Sequence, residues 1–181
     1  DTKVLFVGDG DFCCFALKSL VDFEIHMLDI DREIITFIES KNMGIITHNV
    51  NLAKGLPKEL ENYFDAVMLD PLWDIKGAEM FINPASSSMK KNIKSRLYTC
   101  ICPLVTGDDH GKLQKMLIDR GLVFHEIIKH FNWYKLHANK NYAELLDIFH
   151  KINKDYIQSD FMNSSLSVPL ATSDMYVLGF G

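Results

Sequence analysis

Cysteine is scarce in this 181-residue chain, and what there is lacks the spacing of a metal site or a disulfide framework. The four residues fall as Cys13-Cys14 and Cys100-x-Cys102 inside apolar runs, without the CxxC repeat of structural zinc. They read as reduced core residues of a cytoplasmic protein. Positive charge is also short. A formal net charge of −5 and an isoelectric point near 5.8 give nucleic acid no global field to find, and Lys90, Lys91, Lys94 and Arg96 read as a solvated helix end. No apolar run reaches the length of a membrane span, so no membrane partner is expected, and no charged-then-apolar leader precedes the first strand. Because the chain opens almost directly on that strand, it is expected to be part of a longer protein. His26, His48, His125 and His130 stand at strand positions without metal-ligand spacing, and no Ser-His-Asp or Cys-His arrangement can be placed. Neither a metal nor covalent catalysis is expected.

What the sequence does contain is an alternation of short apolar runs and amphipathic stretches. Val4–Val7 is an apolar run closed by Gly and Asp, and from Asp11 to Val21 the residues Phe12, Phe15, Ala16 and Leu20 recur at helical spacing. The unit repeats as a strand from Glu24 to Ile30 and a helix from Asp31 to Lys41 carrying Ile34, Ile35 and Ile38. Further strands are expected at 44–50, 65–69, 97–101, 123–128 and 175–178. Helices are expected from about Lys76 to Met80, continuing toward Lys91, and from Asp108 to Arg120, stopped by Gly121. This pattern predicts an α/β fold, a mostly parallel seven-stranded sheet with helices on both faces, in one domain over 1–181. Residues 132–172 are polar and irregular apart from a helix expected at Tyr142–Ile152, and read equally as a lid or as a surface insertion.

Acids stand at the carboxyl ends of the strands, where such sheets bind ligands: Asp9 and Asp11 after the first, Asp29 and Asp31 after the second, Asp70 and Asp74 after the fourth. One carboxylate can accept both hydroxyls of a ribose, and Asp29 is placed to do so, with Asp31 as a helix cap; both could instead be caps. Gly8 and Gly10 let backbone approach a ligand closely. Two carboxylates in that turn repel phosphate and favour a cationic ligand such as a sulfonium with an ammonium tail. Asn49 offers an amide to an adenine edge or simply makes a turn. Asp70, ahead of Pro71 and near Trp73, is placed to deprotonate an amine, whereas Asp74 reads first as a cap. Trp73 could face a cation, a contact worth about 0.5–2 kcal/mol, or be core. Phe131-Asn132-Trp133-Tyr134 follows the sixth strand and reads as a pocket wall.

Val4–Leu17, Met27–Ile38, His48–Leu60, Phe64–Phe81 and Glu126–Tyr134 together resemble the branched-chain polyamine synthases, the bis(aminopropyl)spermidine synthase family, over most of 3–135. The family's Gly-Asp-Asp-Asp turn, Asp-Ile-Asp strand end, Leu-Pro pair, Asp-Pro-Pro loop and Phe-Asn-x-Tyr segment match Gly8-Asp9-Gly10-Asp11, Asp29-Ile30-Asp31, Leu56-Pro57, Asp70-Pro71-Leu72 and Phe131-Asn132-Trp133-Tyr134. The resemblance implies a Rossmann-like class I methyltransferase fold, usually behind a winged-helix domain. It also implies aminopropyl transfer from decarboxylated S-adenosylmethionine to a polyamine or other small amine in the cytoplasm. Asp9 and Asp11 would then face the aminopropyl group and acceptor amine, Asp29 the ribose and Asp70 the reaction centre; Trp73, Asp74, Asn132 and Tyr134 complete the substrate side, and a homodimer is compatible with it. The turn is also similar to the Gly-Gly-Gly-Asp of the linear spermidine synthases, where Asp11 matches the aspartate that holds the donor's amine. Departures from the pattern are Gly10, Leu72, Trp73 and Asn49, of which the first, third and fourth replace acids; fewer acids imply a less cationic, or a changed, acceptor.

Two rival readings stand beside this one. Asp70-Pro71-Leu72-Trp73 is similar to the Asp-Pro-Pro-Tyr/Trp loop of amino-methylating enzymes, so S-adenosylmethionine-dependent methyl transfer is the alternative enzyme. Against it, Phe6 occupies the first-strand position where many methyltransferases carry an acid, and Asp9 and Asp11 would repel the carboxylate of the intact donor. A non-catalytic module binding an adenosyl ligand or polyamine is the third reading, because a fold does not fix a function.

Overall fold

The structure, a computed structural model, describes residues 2–72, 74–102, 106–135 and 170–181, with 133–135, 170 and 171 described by backbone alone. The expected alternation appears as β1 (Lys3–Val7), α1 (Cys13–Leu20), β2 (Glu24–Asp29), α2 (Arg32–Ser40), β3 (Ile46–Asn49), β4 (Ala66–Leu69), α3 (Ile75–Ser88), β5 (Arg96–Ile101), α4 (His110–Asp119), β6 (Leu122–Lys135) and β7 (Leu170–Phe180). These strands form one seven-stranded sheet in the order β3-β2-β1-β4-β5-β7-β6. Neighbours from β3 through β5 pair in parallel, and β7 runs antiparallel to both β5 and β6, so the sheet is mixed by one strand.

Burial alternates along the strands and divides the core in two. Leu5, Val7, Leu28, Val67, Leu69 and Leu97 point to the face covered by α3 and α4, and Val4, Phe6, Ile25 and Met27 to the face covered by α1 and α2. Helices on both faces follow from strands that are apolar on both sides. α2 buries Ile35 and Ile38, and α4 buries Leu113, Met116 and Leu117, as their spacing predicts. α1 differs. Cys14 is its buried residue, Leu20 is 80% exposed, and half-buried Phe12 and Phe15 gather with exposed Phe37 in an aromatic cluster, with ring centroids 4.9–6.2 Å apart. Eight residues make two turns, too few for periodicity to fix which side packs.

Three expectations are corrected. Residues 131–134 lie within β6 rather than after it, and 170–172 belong to β7, so strand occupies both ends of the stretch 132–172 expected to be irregular. Pairing between two long antiparallel strands, not local composition, extends both. α3 runs to Ser88 with Pro84 inside it, short of Lys91. The expected helix at 142–152 and the lid or insertion over 136–169 lie outside the described residues.

After β1 the chain moves to β2 and β3 on one side, then returns to β4 on the other, so β1 and β4 form the switch point. In open α/β sheets ligands sit in the crevice outside the carboxyl ends at that point. The Lys90–Arg96 patch leads into the opposite end of β5. There Lys90 pairs with Asp65 at 2.7 Å, and Arg96 donates to the carbonyls of Ile93 and Ser95.

Candidate active site

β1 ends at Val7, and Gly8 turns the chain with φ +70, a left-handed conformation that favours glycine. A Cβ there would stand 2.9 Å from Cε1 of Phe81 on α3, so backbone and α3 meet with no side chain between them. Gly8 lines two cavities. The smaller, about 110 Å³, is walled by Leu28, Asp29, Val50, Leu52, Met80 and Phe81. The larger, about 160 Å³, lies on the α1 side of the switch point and includes Asp9, Gly10, Asp11, Cys13, Asp70 and Asn132 in its lining.

The acids at the strand ends separate by what they hold. Asp9 is buried at 7% exposure, and its two carboxylate oxygens accept the backbone N–H groups of Cys13 (2.9 Å) and Cys14 (2.8 Å), which open α1. It lines the larger cavity, yet its oxygens are committed to capping the helix. Asp11 is exposed at the same cavity, and Asp70 reaches it half-buried from the end of β4. Asp29 lines the smaller cavity, with Oδ1 accepting from the Asp31 amide at 2.8 Å. Asp31 caps α2 through the Glu33 amide, and Asp74 caps α3 through the Gly77 amide at 2.9 Å. Asp74 and Asn49 line neither cavity. The Asn49 amide instead donates to the carbonyls of Asp29 and Ile30 and accepts from Arg32, bracing the strand ends, while Asn51 two residues on lines the smaller cavity. Asn132 lines the larger one and donates to Sγ of Cys100 at 3.3 Å. Trp73 and the Tyr134 side chain lie outside what is described.

Several cavity residues escaped the sequence reading. Met68 lies two positions before Asp70 and Tyr98 two before Cys100, so each pair shares a sheet face, and Met175 joins them from β7. That parity was available in the sequence; β7's place beside β5 was not. Cys13 is exposed in the cavity rather than core. Its thiol is pushed upward, by partial burial first and then by Asp9, Asp11 and Asp70. Cys100 is pushed up to about 12, by burial first and then by Asp70. Both thiols therefore stay protonated at neutral pH and are poor nucleophiles. No lysine or arginine appears among the described residues of either lining. The larger cavity is an anionic pocket with apolar walls, suited to a cation.

A sheet of order 3-2-1-4-5-7-6 with β7 reversed, flanked by helices and carrying an acid at the end of β2, defines a class I S-adenosylmethionine-dependent methyltransferase fold. Within that class, residues 1–167 match the family described as the branched-chain polyamine synthase A C-terminal domain, and the chain belongs to that family. It is 30% identical over 139 residues to an uncharacterized protein of Methanocaldococcus jannaschii, covering 74% of this chain and 34% of that protein. Its structure is similar to the branched-chain polyamine synthase of Thermus thermophilus in complex with N4-aminopropylspermidine and 5′-methylthioadenosine, with a TM-score of 0.74 and 19% identity over 98% of this chain and 50% of that one. It is also similar to a geranyl diphosphate C-methyltransferase of Streptomyces coelicolor in complex with Mg²⁺, geranyl diphosphate and S-adenosyl-L-homocysteine, with a TM-score of 0.61 and 10% identity over all of this chain and 74% of that one. The chain spans about half the length of the Thermus protein and about a third of the Methanocaldococcus one.

Proposed function

We propose that this chain transfers an aminopropyl group from decarboxylated S-adenosylmethionine to a polyamine or another small amine, acting as a single catalytic domain. The observation that carries the reading is the larger cavity: Asp9, Asp11 and Asp70 line it together, no lysine or arginine is among the described residues of that lining, and it adjoins the cavity that holds Asp29. The smaller cavity takes the nucleoside, with Asp29 accepting the ribose hydroxyls and Leu28, Val50, Leu52 and Phe81 walling the base. Asp11 pairs with the ammonium of the aminopropyl group, and Asp70 receives the proton of the attacking amine. The transfer is a displacement at the carbon beside the sulfonium: the amine nitrogen forms the new bond, the carbon–sulfur bond breaks, and a neutral thioether leaves. Rate comes mainly from holding nitrogen, carbon and sulfur in line. Asp9 supports the site by capping α1 and adds negative potential.

A second reading, methyl transfer from intact S-adenosylmethionine, draws support from Asp70-Pro71 directly after β4 and from the shared fold. The sign of the charge decides against it, because the intact donor brings a carboxylate to an acid-lined cavity. Calorimetric titration of decarboxylated S-adenosylmethionine, S-adenosylmethionine and 5′-methylthioadenosine into the wild type and Asp11→Asn is the test. The expected result is tighter binding of the decarboxylated donor in the wild type and loss of that preference in the variant. Preference for the intact donor selects methyl transfer, and binding without turnover of any amine selects a non-catalytic module.

A further inference from the structure

Asp174 lies in β7 with none of its surface exposed. A carboxylate withdrawn from water is strongly penalised unless it is paired and hydrogen-bonded. Its partners come from one short stretch of β6: Nζ of Lys129 donates to Oδ2 at 2.7 Å, and the amide of His130 donates to Oδ1 at 3.0 Å. That stretch is where the ladder is irregular. Ile128 pairs with Met175, and the next pair is Asn132 with Ser173, so Lys129, His130 and Phe131 together stand opposite the single residue Asp174. His130 has φ +54, a conformation a non-glycine residue holds only when its surroundings fix it.

The bulge has a consequence at the cavity. If the register of Ile128 and Met175 continued without it, Asn132 would fall opposite Ala171, about 7 Å farther along the sheet at roughly 3.4 Å per residue. A shift of two residues keeps the same face, so the bulge changes which residue reaches a given place without turning it over. It sets Asn132 beside Cys100 and puts Phe131 and Asn132 in the lining of the larger cavity.

We propose that Asp174 is a positioning residue of the acceptor side: from β7 it holds the three-residue bulge of β6 that delivers Phe131 and Asn132 to the cavity. The acceptor-side role rests on the proposed function; the hold on the bulge does not. A positioning role couples Asp174 to Asn132, and its loss weakens the acceptor while leaving the nucleoside site alone, whereas a pair serving only stability would not move acceptor affinity apart from nucleoside affinity.

The test uses the full chain carrying Cys13→Ser, so that Cys100 is the thiol monitored in the cavity. Methanethiosulfonate labelling of Cys100 is followed by mass spectrometry in this protein, in Asp174→Asn, in Asn132→Ala and in the double variant, with calorimetric binding of spermidine and 5′-methylthioadenosine alongside. The expected result is that either single change speeds labelling and weakens spermidine by about tenfold, that the double variant is no worse than either, and that 5′-methylthioadenosine binding is unchanged. An unchanged labelling rate in Asp174→Asn, or single effects that multiply in the double variant, would overturn the proposal. If Asp174→Asn does not fold, Lys129→Met removes the ion pair from its exposed side and is subject to the same comparison. A parent protein that binds no spermidine, yet shows the coupled labelling pattern, overturns the proposed acceptor and leaves the hold on the bulge standing.

Discussion

At the scale of single residues, two neighbours in one turn have opposite duties. Asp9 is buried and bonded to the start of α1, whereas Asp11 is exposed at the cavity. Both were legible as acids after β1; which one caps was not, because that depends on how Phe12, with φ 58, turns the chain into the helix. Gly8 is constrained from two sides, by its φ of +70 and by Phe81. Gly8→Ala is expected to lower stability by about 1–3 kcal/mol and to weaken 5′-methylthioadenosine as Phe81 is displaced. Thermal unfolding and calorimetry check this, and adding Phe81→Leu should recover part of the affinity but not the strain.

At the scale of elements, α1 has no side-chain cap from its own N-cap residue and depends on Asp9, three positions earlier. Asp9→Ala is expected to cost about 0.5–2 kcal/mol in denaturant unfolding, the usual value of a cap. It should leave the preference between decarboxylated and intact donor in place, in contrast to Asp11→Asn. Element existence was legible wherever hydrophobic period and stop signals agreed, as in α2 and α4. It was poorly legible in β6 and β7, because a long antiparallel pair is stabilised by partners distant in sequence.

At the scale of the whole molecule, the far end of the sheet is tied by a chain of polar groups that sequence spacing hid. Lys3 on β1 and Tyr63 ahead of β4 meet Glu24 on β2, Glu24 accepts from His26, and His26 meets His48 on β3 at 2.8 Å. Glu24 is held down to about 2, by the Tyr63 hydroxyl first and then Lys3. His26 and His48 are lowered, each by burial first, and half-buried His110 in the same sense. A folded state whose histidines and glutamate titrate below their ordinary values binds fewer protons than the unfolded chain. The stability these groups supply is therefore present above about pH 6.5, falls as the histidines charge below it, and falls further from about pH 4.5 toward 2 as Glu24 protonates. Urea midpoints measured from pH 8 to 4 should show this decline, with a shallower slope between pH 7 and 5 in His48→Gln.

The sequence by itself determined the fold class and the acids at the strand ends, because strand and helix periods and the turn residues between them are local properties. It also placed Asp11, Asp70 and Asp29 at one edge of the sheet, since an open α/β sheet puts every parallel strand's carboxyl end on the same side. Only the tertiary structure decided that Asp9 and Asp74 are spent as caps, that Asn49 braces strands while Asn51 faces the smaller cavity, and that Cys13, Tyr98, Cys100 and Met175 line one cavity. It alone set β7 beside β5 and buried Asp174 against the bulge of β6. Those outcomes depend on which distant strands pair and in what register, a choice made by packing and hydrogen bonding between segments rather than within them.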